Sequence, residues 1–186
     1  MKRIETVLDG CCIIEPQVFG DARGWFYESY SAQAFADIGI DTVFVQDNRS
    51  FSAQKGTLRG LHCQTDPHAQ TKLICCTRGV LTDVVVDIRE GSPSFMQHIL
   101  VELSADNRRM LYIPKGFLHG FVTRTENVEV FYKVDDFYCP ECDRSVRYCD
   151  PAFSIDWNEE APILSQKDRS NVCLRDSDVR FIWKKA

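Results

Sequence analysis

No stretch of this chain approaches the roughly 20 consecutive apolar residues that a membrane-spanning helix requires. The start, M-K-R-I-E-T-V-L-D-G, carries two cations, but Glu5 and Asp9 break up the apolar residues beyond them, so there is no h-region. Neither a signal peptide nor a membrane anchor is expected, and the expected location is cytoplasmic. A basic excess is also missing: 22 Lys and Arg face 27 Asp and Glu, for a net charge of −5. That argues against nucleic acid as a partner. It leaves room for a small anionic ligand, because a few local cations can define a pocket whatever the total charge. No G-x-G-x-x-G follows a strand-like run, which argues against a dinucleotide-binding α/β fold. Linkers, repeats and low-complexity stretches are absent too, so residues 1–186 are expected to form one domain with a substantial core.

Cysteine, by contrast, is plentiful. Nine are present, an odd number, and with no secretion signal this disfavours a disulfide framework. Cys11, Cys12, Cys75 and Cys76 lie in apolar runs and read as small buried hydrophobes. Cys139 and Cys142 form the one C-x-x-C, in Y-C-P-E-C-D. A single such pair is weak evidence for zinc, which needs two more ligands at matching spacing.

Short alternating or apolar runs separated by turn residues predict an all-β protein. The expected strands are Cys11–Glu15, Trp25–Tyr30, Thr42–Ser50, Leu73–Arg78, Gly79–Asp87, Gln97–Leu103, Arg109–Ile113, Phe117–Thr123 and Val128–Val134. Helices should be few and short. The best is Ser31–Ile38, which Ser31 can cap and which has Ala34, Phe35 and Ile38 on one face. Ser104–Asn107 reads as a turn. Beyond about Asp150, the alternation of Phe153, Ile155 and Trp157 suggests a short strand, and the tail to Trp183 should wrap over the barrel. The pattern favours a jelly-roll sandwich or barrel of the cupin type.

The chemistry concentrates in K-G-T-L-R-G-L-H-C-Q-T-D-P-H-A-Q-T-K, residues 55–72. His62 lies between Arg59 and Lys72 along the chain, and His119 comes later in P-K-G-F-L-H-G. With so many ionisable groups, neither segment looks like a core strand. A base beside fixed cations suits proton abstraction from an anionic substrate, the cations stabilising the charge that develops. His98 reads as a surface or satisfied core residue, and His68 as a loop residue. Tyr132, in V-E-V-F-Y-K-V, is a candidate acid or simply a half-buried strand tyrosine. Asp168, in S-Q-K-D, could hold the tautomer of His62. Arg23, in F-G-D-A-R-G-W-F-Y-E-S-Y, could grip a phosphate bidentately or sit in an exposed turn.

The two histidine segments resemble the paired cupin motifs. Gly56 followed by His62-Cys63-Gln64 matches the outline G-x5-H-x-H, and Pro114, Gly116 and His119 match P-x-G-x-x-H. The second histidine of H-x-H and the glutamate after it are missing, and two imidazoles make a poor metal site. A metal-free site is therefore expected, in which the imidazoles move protons.

Over nearly its whole length the chain resembles the dTDP-4-dehydrorhamnose 3,5-epimerase family. The motifs that carry the likeness are F-G-D-A-R-G-W-F-Y-E, V-Q-D-N-R-S-F-S-A-Q-K-G-T-L-R-G-L-H-C-Q, Q-T-K-L, D-I-R-E-G-S-P-S-F, I-P-K-G-F-L-H-G-F, V-F-Y-K, D-P-A-F-S-I-D-W and L-S-Q-K-D. The resemblance implies a metal-independent, cofactor-free epimerase of a dTDP-linked 4-keto-6-deoxy sugar, working as a homodimer. It implies His62 as general base, Asp168 as its partner and Tyr132 as the opposing acid. Lys72 and His119 would stabilise the enolate oxygen, and Arg23 and Arg59 would hold the diphosphate. Phe26, Glu28, Gln46 and Asn48 would line the pocket, with Asp143 and Lys167 at its far side and Tyr138 stacking on the base or covering the sugar.

Three departures stand out. Cys63 replaces an aromatic residue, Asp143 stands where glutamate is expected, and R-S-V-R-Y-C-D-P replaces a version containing glycine and tryptophan. Competing readings are a single-centre epimerase of a related 4-keto nucleotide sugar, a metal-dependent cupin oxygenase, and a non-catalytic sugar-binding module.

Overall fold

The computed structural model describes residues 1–184. The chain begins with β1 (Lys2–Glu5), β2 (Cys12–Glu15), the hairpin β3 (Phe19–Asp21) and β4 (Gly24–Phe26), and helix α1 (Ala32–Ala36). Its central part holds β5 (Gln46–Ser52), β6 (Leu58–Gln64), β7 (Lys72–Arg78), β8 (Val80–Asp87), β9 (Arg89–Glu90) and β10 (His98–Ser104). Beyond these come β11 (Met110–Ile113), β12 (Phe117–Thr123), β13 (Val128–Val134), β14 (Asp143–Ser145), helix α2 (Gln166–Arg169) and β15 (Phe181–Ile182). A six-stranded sheet, ordered β1-β2-β11-β7-β13-β5, faces a five-stranded sheet ordered β10-β8-β12-β6-β14. The result is the expected cupin-like jelly roll with a few short helices. No helix among the described residues is long and apolar enough to cross a membrane.

Side chains alternate across a strand, so each sheet has an inner and an outer face. Ile74, Cys76, Val128 and Val130 from the larger sheet meet Leu81, Val85, Phe117 and Phe121 from the smaller one between the layers. The outer face of the smaller sheet is covered as well. Leu58, Leu61, Cys63, Leu118 and Val122 pack there against Val146, Phe153, Trp157, Val179 and Phe181. Side chains from the segment beyond residue 150 thus pack on the outer face of the smaller sheet. On the other side Phe35, presented by α1, joins Cys12, Ile14, Leu73 and Met110. Ser31 caps α1, its hydroxyl accepting from Ala34 N.

Several expectations need correction. The two histidine segments are core strands after all: in β6 only Arg59 is exposed and only His62 half-buried, and in β12 only His119 is half-buried. Charge at one face deceives because the opposite face is apolar and sealed by the C-terminal segment. Trp25–Tyr30 is not one strand; pairing ends at Phe26. The strand expected over Thr42–Ser50 starts at Gln46 and ends at Ser52. Phe153, Ile155 and Trp157 form no strand, and their alternation reflects packing against the smaller sheet. The short strands β1, β3, β9, β14 and β15 lack the apolar run that would betray them. Ser104–Asn107 is a turn, with Ser104 Oγ accepting from Asn107 N at 3.0 Å.

A bulge between β6 and β12 decides which way the site residues point. His119 pairs with His62, yet Phe121 pairs with Arg59, so two steps on one strand oppose three on the other. The extra residue lets both Arg59 and His62 face inward while Leu58, Leu61 and Cys63 face out. Backbone contact at the bulge is intimate: a Cβ on Gly60, whose φ is +133°, would lie 2.5 Å from the Gly120 Cα. Gly60→Ala should therefore lose at least about 3 kcal/mol in urea unfolding, or fail to fold. Gly20→Ala, where the added carbon meets nothing nearer than 3.7 Å, should stay near wild type.

Candidate active site

The interior between the sheets is apolar at one end and polar at the other. Reading β7 along its inner face gives Lys72, Ile74, Cys76, and reading β13 gives Tyr132, Val130, Val128. The polar end opens into a cavity of about 500 Å³ lined by Arg59, His62, Lys72, His119, Tyr132, Lys167 and Asp168. A smaller compartment of about 180 Å³ shares His62, Lys72 and Tyr132 and adds Gln46, Asn48, Tyr138 and Asp143. His62 and His119 are register partners on the smaller sheet, whereas Lys72 and Tyr132 belong to the larger one.

His62 Nε2 lies 2.6 Å from Asp168 Oδ1. The carboxylate is itself held. Ser165 caps α2, accepting from Asp168 N at 3.0 Å and donating its hydroxyl to Asp168 Oδ2 at 2.8 Å. Burial pushes the Asp168 carboxyl up, but the hydrogen bond and charge of His62, with Ser165 and Lys167, bring it below the usual carboxylate range. An ionised carboxylate accepts hydrogen bonds, so Nε2 is the donor of this pair, and in the neutral imidazole the lone pair lies on Nδ1.

A second histidine–aspartate pair lies alongside. His119 Nε2 is 2.9 Å from Asp83 Oδ1 and 3.0 Å from Oδ2, its hydrogen bond directed to Oδ2. Asp83 has no exposed surface. Burial raises its carboxyl above the ordinary range, against the pull of His119 and Lys72. Burial likewise lowers the Lys72 ammonium below the usual lysine range, opposed by Cys63, Asp143 and Asp83. Among the described residues the lysines engaged in salt bridges are Lys115, Lys133 and Lys167, not Lys72. Its charge is therefore available to a ligand. Burial raises the Tyr132 phenol, Arg59 opposing and Asp143 assisting, so it stays protonated at neutral pH.

Arg59 donates to Ser52 Oγ and Phe51 O, which fixes its head at the cavity rim. In the smaller compartment Gln46 Nε2 donates to Asn48 Oδ1 at 2.8 Å. Asp143 accepts from Lys167 Nζ at 2.6 Å and from the Tyr138 hydroxyl at 3.4 Å. Three expected residues are not gathered in. Arg23 and Phe26 line a separate concavity of about 370 Å³ on the β3–β4 hairpin, where Arg23 pairs with Asp21 at 2.6 Å. Glu28 is exposed and lines neither compartment. Sequence reading missed Asp83 and Ser165. An aspartate inside the run V-L-T-D-V-V-V was the available signal for the first, and serine three residues before Asp168 was that for the second. His68 sits 3.4 Å from Asp136, away from both compartments. Among the described residues no group of three or more His, Cys, Asp or Glu side chains could hold a metal ion.

Residues 5–176 match the family model described as dTDP-4-dehydrorhamnose 3,5-epimerase. The chain belongs to that family. It is 47% identical over 180 residues to the dTDP-4-dehydrorhamnose 3,5-epimerase of Pseudomonas aeruginosa, covering 96% of this chain and 98% of the relative. The crystal structure of the Bacillus anthracis dTDP-4-dehydrorhamnose 3,5-epimerase, with TDP and PPi bound, superposes with a TM-score of 0.91 at 47% identity, covering 93% of this chain and 99% of that one. A dTDP-6-deoxy-D-glucose-3,5-epimerase from Legionella pneumophila, in complex with dTDP-4-keto-L-rhamnose, gives 0.90 at 46% identity, covering 95% and 94%. These two solved chains share the overall fold described above.

The depressed Asp168 carboxyl has a consequence for stability. Its stabilising contribution is complete above the unfolded-state value of about 3.9 and is lost as pH falls through the lower native value. Asp168→Asn removes that contribution. The Tm difference between wild type and variant should be largest near neutral pH and shrink below about pH 4 in a thermal scan series.

Proposed function

We propose that this chain inverts C3 and C5 of dTDP-4-dehydro-6-deoxy-D-glucose, giving dTDP-4-dehydro-L-rhamnose. The observation that carries the reading is the placement of His62 and Tyr132 on opposing sheets of one cavity. A ring held between the sheets presents one face to each. His62 Nδ1 takes the proton from C3 or C5, the C–H electron pair moving onto the C4 ketone oxygen. The enolate oxygen is met by the Lys72 ammonium and by His119, which Asp83 steadies. Losing one such preorganised donor typically costs about 10²–10³ in rate. The Tyr132 phenol then returns a proton to the opposite face, so the centre inverts. Repetition at the second carbon uses the same groups. The hydrogen leaves and returns as a proton, so no redox cofactor is required.

Arg59 is assigned to the diphosphate, and Gln46, Asn48, Tyr138, Asp143 and Lys167 to the sugar and nucleoside. The match to relatives solved with TDP, and with dTDP-4-keto-L-rhamnose, supports this substrate class. A diphosphate-linked sugar does not diffuse through a bilayer, which fits a cytoplasmic location. Arg23, Phe26 and Glu28 are assigned to the substrate of a second copy in a homodimer. The hairpin carries Phe19, Trp25 and Phe26 at 56–66% exposure, an apolar surface suited to burial against another chain.

Proton NMR of the substrate in D2O tests the chemistry. Wild type should place deuterium at both C3 and C5, and label at one carbon only would identify a single-centre epimerase instead. His62→Ala should abolish exchange at both carbons. Tyr132→Phe should suppress net inversion more than exchange; intact turnover in either variant removes that residue from the mechanism.

Co-expression tests the shared site. Arg23→Ala and His62→Ala chains, each inactive alone, should recover about one quarter of wild-type activity together, because half the dimers are mixed and hold one intact site. No recovery would place Arg23 on its own chain's substrate.

A further inference from the structure

The C-x-x-C pair has no part in the proton chemistry, yet it adjoins the site. Pro140–Cys142 forms one turn of 3₁₀ helix with Cys139 as its N-cap. Cys142 N donates to Cys139 O at 3.0 Å, closing the turn, and the Cys139 and Cys142 sulfurs lie 3.3 Å apart. The turn is fixed at both ends. Cys139 N donates to Gln64 Oε1 at 2.7 Å, and Cys142 O accepts from Thr65 N at 2.9 Å. Little entropy is left to lose on joining the sulfurs. Cys139 is partly exposed and Cys142 is 8% exposed, so one thiol can meet a soluble oxidant while the other lies beneath it.

The pair is flanked by residues of the smaller compartment: Tyr138 directly precedes Cys139 and Asp143 directly follows Cys142. Gln64 couples them further, donating to Phe137 O at 3.1 Å while accepting from Cys139 N. Drawing two sulfurs from contact to a bond of about 2.05 Å must tighten the turn and shift Tyr138 and Asp143, which sit at its two ends.

We propose that Cys139 and Cys142 are a reversible thiol–disulfide site, and that closing the bond weakens substrate binding through Tyr138 and Asp143. The oxidant class is a low-molecular-weight disulfide. Cys139 thiolate attacks it, forming a mixed disulfide and expelling one thiolate. Cys142, deprotonated in turn, attacks the Cys139 sulfur and expels the second. The two protein thiols give up two electrons and two protons, and the oxidant becomes two thiols. The hydrogen bond with Cys142, then burial and Glu141, hold the Cys139 thiol above its ordinary range. Attack requires the thiolate, so bond formation accelerates as pH rises. In a reducing cytoplasm such a bond is transient.

The binding half of this inference rests on the proposed function; the disulfide half does not. Reduced protein is treated with oxidised glutathione, mapped by peptide mass spectrometry, and assayed before and after dithiothreitol. Wild type should lose two hydrogens across Cys139–Cys142. Its KM should rise about fivefold with kcat within about twofold, and reduction should reverse both changes. Cys139→Ser, with Cys142→Ala as a second variant, should show neither change. A bond between other cysteines, an adduct that stops at Cys139, an unchanged KM in oxidised protein, or stoichiometric zinc on the pair as purified overturns the proposal. Reduced wild type lacking epimerase activity would overturn the functional reading instead, and the mass map would still judge the disulfide.

Discussion

At Gly60 the chain passes so close to Gly120 that neither residue has room for a side chain. Everything distinctive about the interior depends on that contact. A regular strand would alternate strictly, and Arg59 and His62, three apart, would face opposite ways. The bulge adds one residue and turns both into the cavity, while Leu61 and Cys63 stay in the outer apolar layer. His62 and Arg59 therefore share one wall of the cavity, while the layer behind them stays apolar.

Charge inside the sandwich is costly, and the structure handles it by pairing. Asp168 and Asp83 each meet an imidazole nitrogen, and Ser165 satisfies the second oxygen of Asp168. The two aspartates differ in consequence. His62, Ser165 and Lys167 outweigh burial at Asp168, whereas burial wins at Asp83. Lys72 stands apart, with burial disfavouring its charged form and no carboxylate in salt-bridge range among the described residues.

The C-terminal segment serves two ends at once. Phe153, Trp157, Val179 and Phe181 seal the outer face of the smaller sheet, and burying such side chains contributes about 1.5–3 kcal/mol each. The same segment carries α2, which returns Lys167 and Asp168 to the cavity. Stability and the geometry of the cavity are thus coupled, because a loosened wrap withdraws Asp168 from His62. Asp143 accepts from both Lys167 and Tyr138, so this wrap and the segment bearing Tyr138 meet at one carboxylate.

Local pattern determined the longer strands from β7 to β13, the Ser31 cap and the turn after β10, because alternation and capping act between near neighbours. His62 and Lys72 were legible from a segment crowded with ionisable groups, whereas Tyr132 and Asp168 were singled out chiefly by the family likeness. Other features were not legible. The run V-L-T-D-V-V-V marks Asp83 as an aspartate among apolar residues, but its pairing with His119 appears only when two strands are brought together. The core status of β6 and β12 was hidden because their second apolar face finds its cover far along the chain, in Phe153 and Trp157. Arg23, Phe26 and Glu28 carry family motifs, yet the fold of one chain leaves them outside the cavity. The sequence by itself determined which residues could do the chemistry. Only the tertiary structure decided which of them meet, since a bulge, a wrapping segment and two facing sheets set directions that no single strand encodes.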